Sequence, residues 1–167
     1  IQTNKYFETN IPHIYAIGDV AESYNLITGD PIYRPLGSTA NKMGRILGDR
    51  LTGGNLKHKG ILGTGIVRIF DMTIAQTGLT EKEAIDLDID IDVLHNVKPN
   101  RPEYMQGQEM VIKAIFDKNN SKLLGAQIIG YEGVDKRIDV LATAITFGAH
   151  AEDLFHLDLA YAPPFST

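Results

Sequence analysis

Two apolar stretches separated by a polar turn decide the fold of the larger part of this chain. They are Met110-Val111-Ile112-Lys113-Ala114-Ile115-Phe116 and Leu123-Leu124-Gly125-Ala126-Gln127-Ile128-Ile129, and Asp117-Lys118-Asn119-Asn120 lies between them. Residues rich in β-branched and apolar side chains favour strands, and Asp and Asn favour chain reversal. The pattern therefore predicts an antiparallel hairpin.

Further patterns on both sides of the hairpin extend it into a sheet with helices. Strands are predicted over 66–70 and 73–77, and around Ile89, Ile91 and Val93, which alternate with aspartates. Thr80 and Glu83 have the spacing of a capping box. Apolar residues at helical spacing predict a helix from Val134 to Gly148 and a shorter one over 152–155. We expect an α+β fold with an antiparallel sheet and helices on one side.

The first third of the chain has a different pattern. A short apolar run over 13–17 is closed by Gly18-Asp19, which predicts a buried strand ending in a turn. A helix is then expected from an N-cap at Ser38 or Thr39 to the Gly53-Gly54 pair. Glycines become frequent after this helix, so we place a domain boundary near residue 58, with domains over 1–58 and 59–167.

The composition excludes several classes of protein. The chain has 167 residues, 43% of them hydrophobic, and a net charge of -5, so neither nucleic acid nor a membrane is expected as a partner. It contains no cysteine, which removes disulfides and thiol nucleophiles. No signal peptide is apparent, so a cytoplasmic location is expected. The chain begins at Ile1 rather than Met, and we expect it to be a fragment.

Metal and phosphate motifs are incomplete. The aspartates at 86, 88, 90 and 92 have the spacing of a calcium loop, but Ile91 and Val97 stand where that loop needs Gly and Glu. The histidines lack the spacing of a metal site, so none is predicted. A carboxylate at Asp19 followed by a helix amino end could bind sugar hydroxyls and an electron-rich group, although Gly18-Asp19 taken alone favours a plain turn.

The segment around Asp19 decides between these interpretations. It reads Thr9-Asn10-Ile11-Pro12-His13-Ile14-Tyr15-Ala16-Ile17-Gly18-Asp19-Val20-Ala21-Glu22 and closely resembles the second flavin-binding motif of the pyridine nucleotide-disulfide oxidoreductases. The later motifs of the resemblance include Thr77-Gly78-Leu79, Leu124-Gly125-Ala126-Gln127 and Asp158-Leu159-Ala160-Tyr161-Ala162-Pro163. Their order resembles the branch with coenzyme A disulfide reductases, NADH oxidases and NADH peroxidases.

This resemblance covers essentially the whole chain and implies a division of roles. Residues 1–58 would be a strand-loop-helix remnant that closes an FAD-binding domain, and 59–167 a dimerisation domain. Asp19 would hydrogen-bond the ribityl or pyrophosphate region of FAD, with Gly18 allowing close approach. Thr39 and Ala40 would form the helix amino end that faces the flavin pyrimidine ring. The redox cysteine and the NADH or NADPH site would lie upstream, so the chain alone should be inactive.

Two tyrosines are the candidate catalytic residues that the resemblance implies. Tyr161 stands where the glutathione-reductase-like branch has a histidine, and it would reach the partner subunit's active site. Tyr104 matches the second tyrosine of the branch, although Met105-Gln106-Gly107 departs from its usual Tyr-Pro-Gly. Either tyrosine could instead fill an interface. We expect Leu157, Leu159 and Ala160 to anchor the segment of Tyr161 to the core.

The sequence thus predicts part of a homodimeric, FAD- and NAD(P)H-dependent reductase. Its substrate would be a small disulfide, persulfide or peroxide. The alternative is a standalone dimerisation or binding module without redox activity.

Overall fold

A computed structural model describes residues 1–166 and divides the chain into two compact units. Unit 1 is Ile1–Gly63, and unit 2 begins at Thr64. This division falls a few residues after the position near 58 that the glycine pattern indicates. No helix in the described part of the chain combines the length and the apolar character that crossing a membrane requires.

Unit 1 contains little regular structure besides one helix. A 3-10 helix over Gly18–Val20 is followed by two short antiparallel strands, β1 (Ser23–Tyr24) and β2 (Pro31–Ile32). The helix α1 then spans Gly37–Leu51, and Thr52 is its C-cap. The predicted end of this helix before Gly53-Gly54 is confirmed.

Two predictions for unit 1 are wrong in detail. Residues 13–17 do not form a strand: they contribute one isolated bridge, between Glu8 and Tyr15, and His13 has a positive φ of 65°. A strand needs a ladder of partners, and an apolar run does not show whether a neighbouring strand is present. The N-cap of α1 is Leu36 rather than Ser38 or Thr39, because the helical backbone begins before the apolar periodicity does.

The described residues of unit 2 form a five-stranded, fully antiparallel sheet and three α-helices. The strands are β3 (Gly65–Ile69), β4 (Met72–Gly78), β5 (Ile91–Pro99), β6 (Glu109–Asp117) and β7 (Leu123–Gly130), and their order in the sheet is β3-β4-β7-β6-β5. The helices are α2 (Glu81–Asp86), α3 (Val134–Thr146) and α4 (Ala151–Phe155). The predicted α+β fold is confirmed.

The local patterns of unit 2 predict its elements well. The hairpin of β6 and β7 is present, and the aspartate-flanked strand is β5, which starts at Ile91 and continues to Pro99. The capping box is also present: the Glu83 amide donates to Thr80 Oγ1 over 3.1 Å, and the Thr80 amide donates to Glu83 Oε2 over 2.9 Å. Both bonds satisfy amides that the helix itself leaves without partners.

The core of unit 2 forms where α3 packs on the sheet. Because side chains alternate along a strand, one face of the sheet collects the small and branched residues that meet the helix. The cluster consists of Ala75, Met110, Ala126, Ile128, Val134 and Ile138, with Ile112 and Leu141 packed against it. The amphipathic helix predicted from Val134 is therefore confirmed, with Val134, Ile138 and Ile145 buried.

Two glycines lie opposite each other where β4 and β7 end their pairing. Gly78 and Gly125 are register partners, and the Leu79 amide donates to the Leu124 carbonyl over 2.9 Å. A Cβ on Gly78 would collide with the Leu124 carbonyl oxygen, and one on Gly125 with the Leu79 carbonyl oxygen. The missing side chain of Gly78 therefore leaves room for the Leu124 carbonyl, and that of Gly125 leaves room for the Leu79 carbonyl.

Candidate functional site

Gly18, one of the residues that the resemblance assigns to a flavin site, lies beside α1. This glycine has a φ of +71°, and a Cβ built on it would lie 3.5 Å from the Cβ of Ala40. Its amide donates to the Met43 sulfur over 3.2 Å, which ties the 3-10 helix to α1. The structure thus places Gly18 against the amino end of α1, although 22 residues separate Gly18 from Ala40.

The amino end of α1 carries no side-chain cap. Leu36 contributes its carbonyl to the Ala40 amide over 2.9 Å but has no side-chain acceptor for the first turn. The first turn also contains no acidic residue. The amides of a helix start carry partial positive charge, so this end is suited to an electron-rich group.

Asp19 and Thr39 differ in their surroundings. Asp19 is exposed on the 3-10 helix, whereas Thr39 is buried within α1. Gly18 has no side chain, so a bound molecule can approach the backbone there. The neighbouring exposed Asp19 carboxylate can accept hydrogen bonds from hydroxyl groups of that molecule. The chemistry of this segment, with close backbone approach, a carboxylate and an uncapped helix start, fits part of a dinucleotide cofactor.

Tyr161 lies on a groove in unit 2. Its side chain is 67% exposed, and the groove of about 840 Å³ also contains Leu141 and Leu154. Lys98, Lys136 and Arg137 contribute positive charge to its lining. The groove can therefore take an apolar group that carries negative charge.

The anchoring predicted for the segment of Tyr161 is wrong. Leu157, Leu159 and Ala160 are exposed. The segment is closed instead by a turn, in which the Phe165 amide donates to the Ala162 carbonyl over 2.9 Å. Backbone hydrogen bonding, which apolar periodicity does not reveal, holds residues 162–166.

Tyr104 lies on a short 3-10 helix, Glu103–Met105, between β5 and β6. It is 75% exposed and is not among the residues that line the groove of Tyr161. Tyr104 is therefore not part of the lining of the groove that carries Tyr161.

A buried polar pair in unit 1 has no recognisable signal in the amino-acid sequence. His58 is 2% exposed, its Nε2 lies 2.6 Å from the Ser23 hydroxyl, and its ring packs on Phe7 with 5.3 Å between centroids. Its Nδ1 is buried without a hydrogen-bond partner. Burial, and secondarily the charge of Lys42, lowers the pKa of His58 below its ordinary value of 6.5.

Comparison with known proteins assigns the family. The model of the pyridine nucleotide-disulphide oxidoreductase dimerisation domain matches residues 65–167. The chain belongs to this family. The match covers unit 2 almost completely and includes the hairpin and α3, so the resemblance inferred from the sequence motifs is confirmed.

Relatives extend the likeness over both units. A CoA-dependent NAD(P)H sulfur oxidoreductase of Pyrococcus furiosus is 40% identical over 99% of this chain, and a coenzyme A disulfide reductase of Staphylococcus epidermidis is 37% identical over 99%. The structure of an NAD-dependent persulfide reductase from A. fulgidus superposes with a TM-score of 0.95 at 40% identity, again over 99% of this chain. The chain spans 38% of the length of each of the two curated relatives and 31% of the solved chain.

Proposed function

We propose that this chain is the carboxyl-terminal part of a subunit in a homodimeric, FAD- and NAD(P)H-dependent reductase. Its substrate would be a small disulfide, a persulfide or a peroxide. The observation that supports this most is the likeness over 99% of the chain to sulfur and coenzyme A disulfide reductases, which includes unit 1 as well as the dimerisation domain.

Unit 1 would supply part of the flavin site. Asp19 would accept hydrogen bonds from the ribityl or pyrophosphate region, and Gly18 would permit close approach. The uncapped start of α1, at Thr39 and Ala40, would face the flavin pyrimidine ring. When bound, FAD supplies electron transfer from NAD(P)H toward sulfur. The contribution of this chain is binding, orientation and a positive helix end that stabilises negative charge.

Unit 2 would supply the dimer contact and the two tyrosines. Tyr161 would extend toward the partner subunit's active site and donate a hydrogen bond to a sulfur that carries negative charge. The phenol O–H of a tyrosine is a hydrogen-bond donor. Tyr104 would approach the same site from its loop. Since this chain has no cysteine, the redox cysteine would belong to the remainder of the protein.

The flavin assignment is tested by Asp19→Ala in the full-length protein. Loss of the carboxylate removes charge-assisted hydrogen bonds worth roughly 1.5 to 3 kcal/mol each, so flavin content after dialysis should fall strongly while the unfolding midpoint of the apoprotein changes little. Asp30→Ala, at an exposed position of the same unit, is the matched control. Full flavin occupancy in Asp19→Ala would remove Asp19 from the flavin site.

Rapid-mixing kinetics of Tyr161→Phe tests the second assignment. The variant should slow reduction of the disulfide or persulfide and leave flavin reduction by NAD(P)H unchanged, because only the first step needs the phenol as a donor. If flavin reduction alone is slowed, or neither step is, Tyr161 serves as interface packing.

The alternative is a dimerisation or binding module without redox activity. The charged, leucine-lined groove of Tyr161 would then be its binding surface. An absorption spectrum and an NAD(P)H oxidation assay of the full-length protein distinguish the two functions. A protein that is colourless and does not oxidise NAD(P)H with coenzyme A disulfide would support the module.

A further inference from the structure

The loop between β5 and β6 is closed by a single asparagine. We call residues 100–108 the Tyr104 loop. The Asn100 amide donates to the Gln108 carbonyl over 2.8 Å, and the Gln108 amide donates to Asn100 Oδ1, also over 2.8 Å. Asn100 itself is only 7% exposed, whereas Gln108 is exposed. The two ends of the loop are therefore joined by one main-chain bond and by one bond to the Asn100 side chain.

The same asparagine ties the loop to the start of α3. Its Nδ2 donates to the Glu132 carbonyl over 3.1 Å, and Arg137 Nη2 donates to the Asn100 carbonyl over 3.5 Å. Next to it, Arg101 forms an ion pair of 2.9 Å with the Glu132 carboxylate. Buried hydrogen bonds of this kind specify one arrangement, because any other leaves polar groups without partners.

Tyr104 lies in the middle of this loop, on its 3-10 helix. It is an exposed side chain, and its neighbours Glu103 and Gln106 are exposed as well. The ring is 75% exposed, so its position depends on the loop backbone, which the 3-10 helix orders internally and which Asn100 ties to Gln108 and Glu132. Arg137 also lines the groove of Tyr161, so one residue of α3 adjoins both the base of the Tyr104 loop and the surface that carries Tyr161.

We infer that Asn100 is a positioning residue for Tyr104: through its bonds to Gln108 and Glu132 it holds the Tyr104 loop in the orientation in which the phenol meets the partner subunit's site. Arg101 and Arg137 support that orientation from the side of α3. This inference rests on the proposed reductase function and adds to it a residue that does not touch the substrate.

A double-mutant cycle in the full-length protein tests it. Asn100→Ala should slow the disulfide half-reaction by about 10-fold, since misplacing a group by 1 Å can cost about 100-fold. In the Tyr104→Ala background the same change should have no further effect, because there is no phenol left to position. Asn119→Ala, in the exposed turn between β6 and β7, is the matched control and should leave the rate unchanged.

Amide hydrogen exchange provides a readout that does not depend on activity. Asn100→Ala should raise exchange over 101–107 and leave β7 protected, which shows that the sheet is intact. If Asn100→Ala does not fold, Asn100→Asp replaces it, since it keeps the acceptor for Gln108 and loses the donor to Glu132.

The outcomes separate this inference from the proposed function. A slowing by Asn100→Ala that is equal with and without Tyr104, or unchanged exchange over 101–107, overturns the role of Asn100. An unaltered half-reaction in Tyr104→Ala overturns it too, while the flavin and Tyr161 assignments stand on their own tests. If the wild-type protein contains no flavin and has no reductase activity, the proposed function itself is wrong.

Discussion

Unit 1 and unit 2 differ in their content of regular secondary structure and in the side chains that they bury. Unit 2 has strands of five to nine residues in one sheet, and a helix covers a continuous apolar cluster. Unit 1 has two strands of two residues each, and its large buried apolar side chains are Phe7, Met43 and Ile61. Polar contacts, such as the Ser23–His58 pair, take a larger share of its interior.

This difference corresponds to the roles proposed for the two units. A dimerisation domain must keep its shape independently, and a sheet with a packed helix does so through burial of apolar surface. A cofactor segment needs close backbone approach and unpaired helix amides, which are features that stabilise little until a ligand is bound. We therefore expect unit 2 to be the more stable unit and unit 1 the more sensitive to solution conditions.

The largest expected effect lies in the core of unit 2. Ile138 is 2% exposed in the cluster between α3 and the sheet, so Ile138→Ala should lower the free energy of unfolding by about 2 to 5 kcal/mol. Urea unfolding followed by amide exchange in β7 measures the change, and the exposed neighbour variant Asp139→Ala is the control. If amides of unit 1 lose the same protection, the two units unfold together, and the expectation that unit 2 is the more stable unit is wrong.

An acid-dependent loss of stability is expected in unit 1. Because the pKa of His58 is lowered in the fold, the folded state favours the neutral ring, and stability should fall as the pH drops below about 6.5. One proton gives a slope of at most about 1.4 kcal/mol per pH unit. The slope should disappear in His58→Gln. A slope that persists in this variant assigns the acid sensitivity to another group.

A smaller effect is expected at the capping box of α2. Thr80→Ala removes the acceptor of the Glu83 amide and should destabilise unit 2 by about 1 kcal/mol. Thr146→Ala, whose hydroxyl bonds only a carbonyl of its own helix, is the matched control. Equal costs for the two variants in urea unfolding would show that the capping box contributes nothing beyond an ordinary helical threonine.

Local patterns in the sequence predict most of unit 2 and little of unit 1. The hairpin, the capping box and α3 are each specified by residues within about 20 positions, so periodicity and turn chemistry are sufficient. The strand expected over 13–17 depends on partners elsewhere in the chain, and the apolar run alone could not show that only Glu8 pairs with Tyr15. Residue preferences do not predict the N-cap of α1, because Leu36 occupies that position without a side-chain oxygen that could accept a hydrogen bond.

The candidate site shows the same limit. The resemblance selected Gly18 and Ala40, but only the structure brings them into contact. Asn100 and Glu132 are 32 residues apart, and Ser23 and His58 are 35 apart, with no motif that links either pair. Isolated polar residues that meet across a fold leave no periodic signal, so sequence reasoning had no means of finding them.

The facing glycines Gly78 and Gly125 have a consequence for how the chain selects its strand alignment during folding. The space for each missing side chain is taken by a carbonyl of the opposite segment, Leu124 for one and Leu79 for the other. A slip of one residue between β4 and β7 would bring the side chain of Thr77 or Ala126 into that space. The misaligned sheet would be rejected by steric collision, so two residues without side chains add a second check on register to the one that the buried apolar face provides.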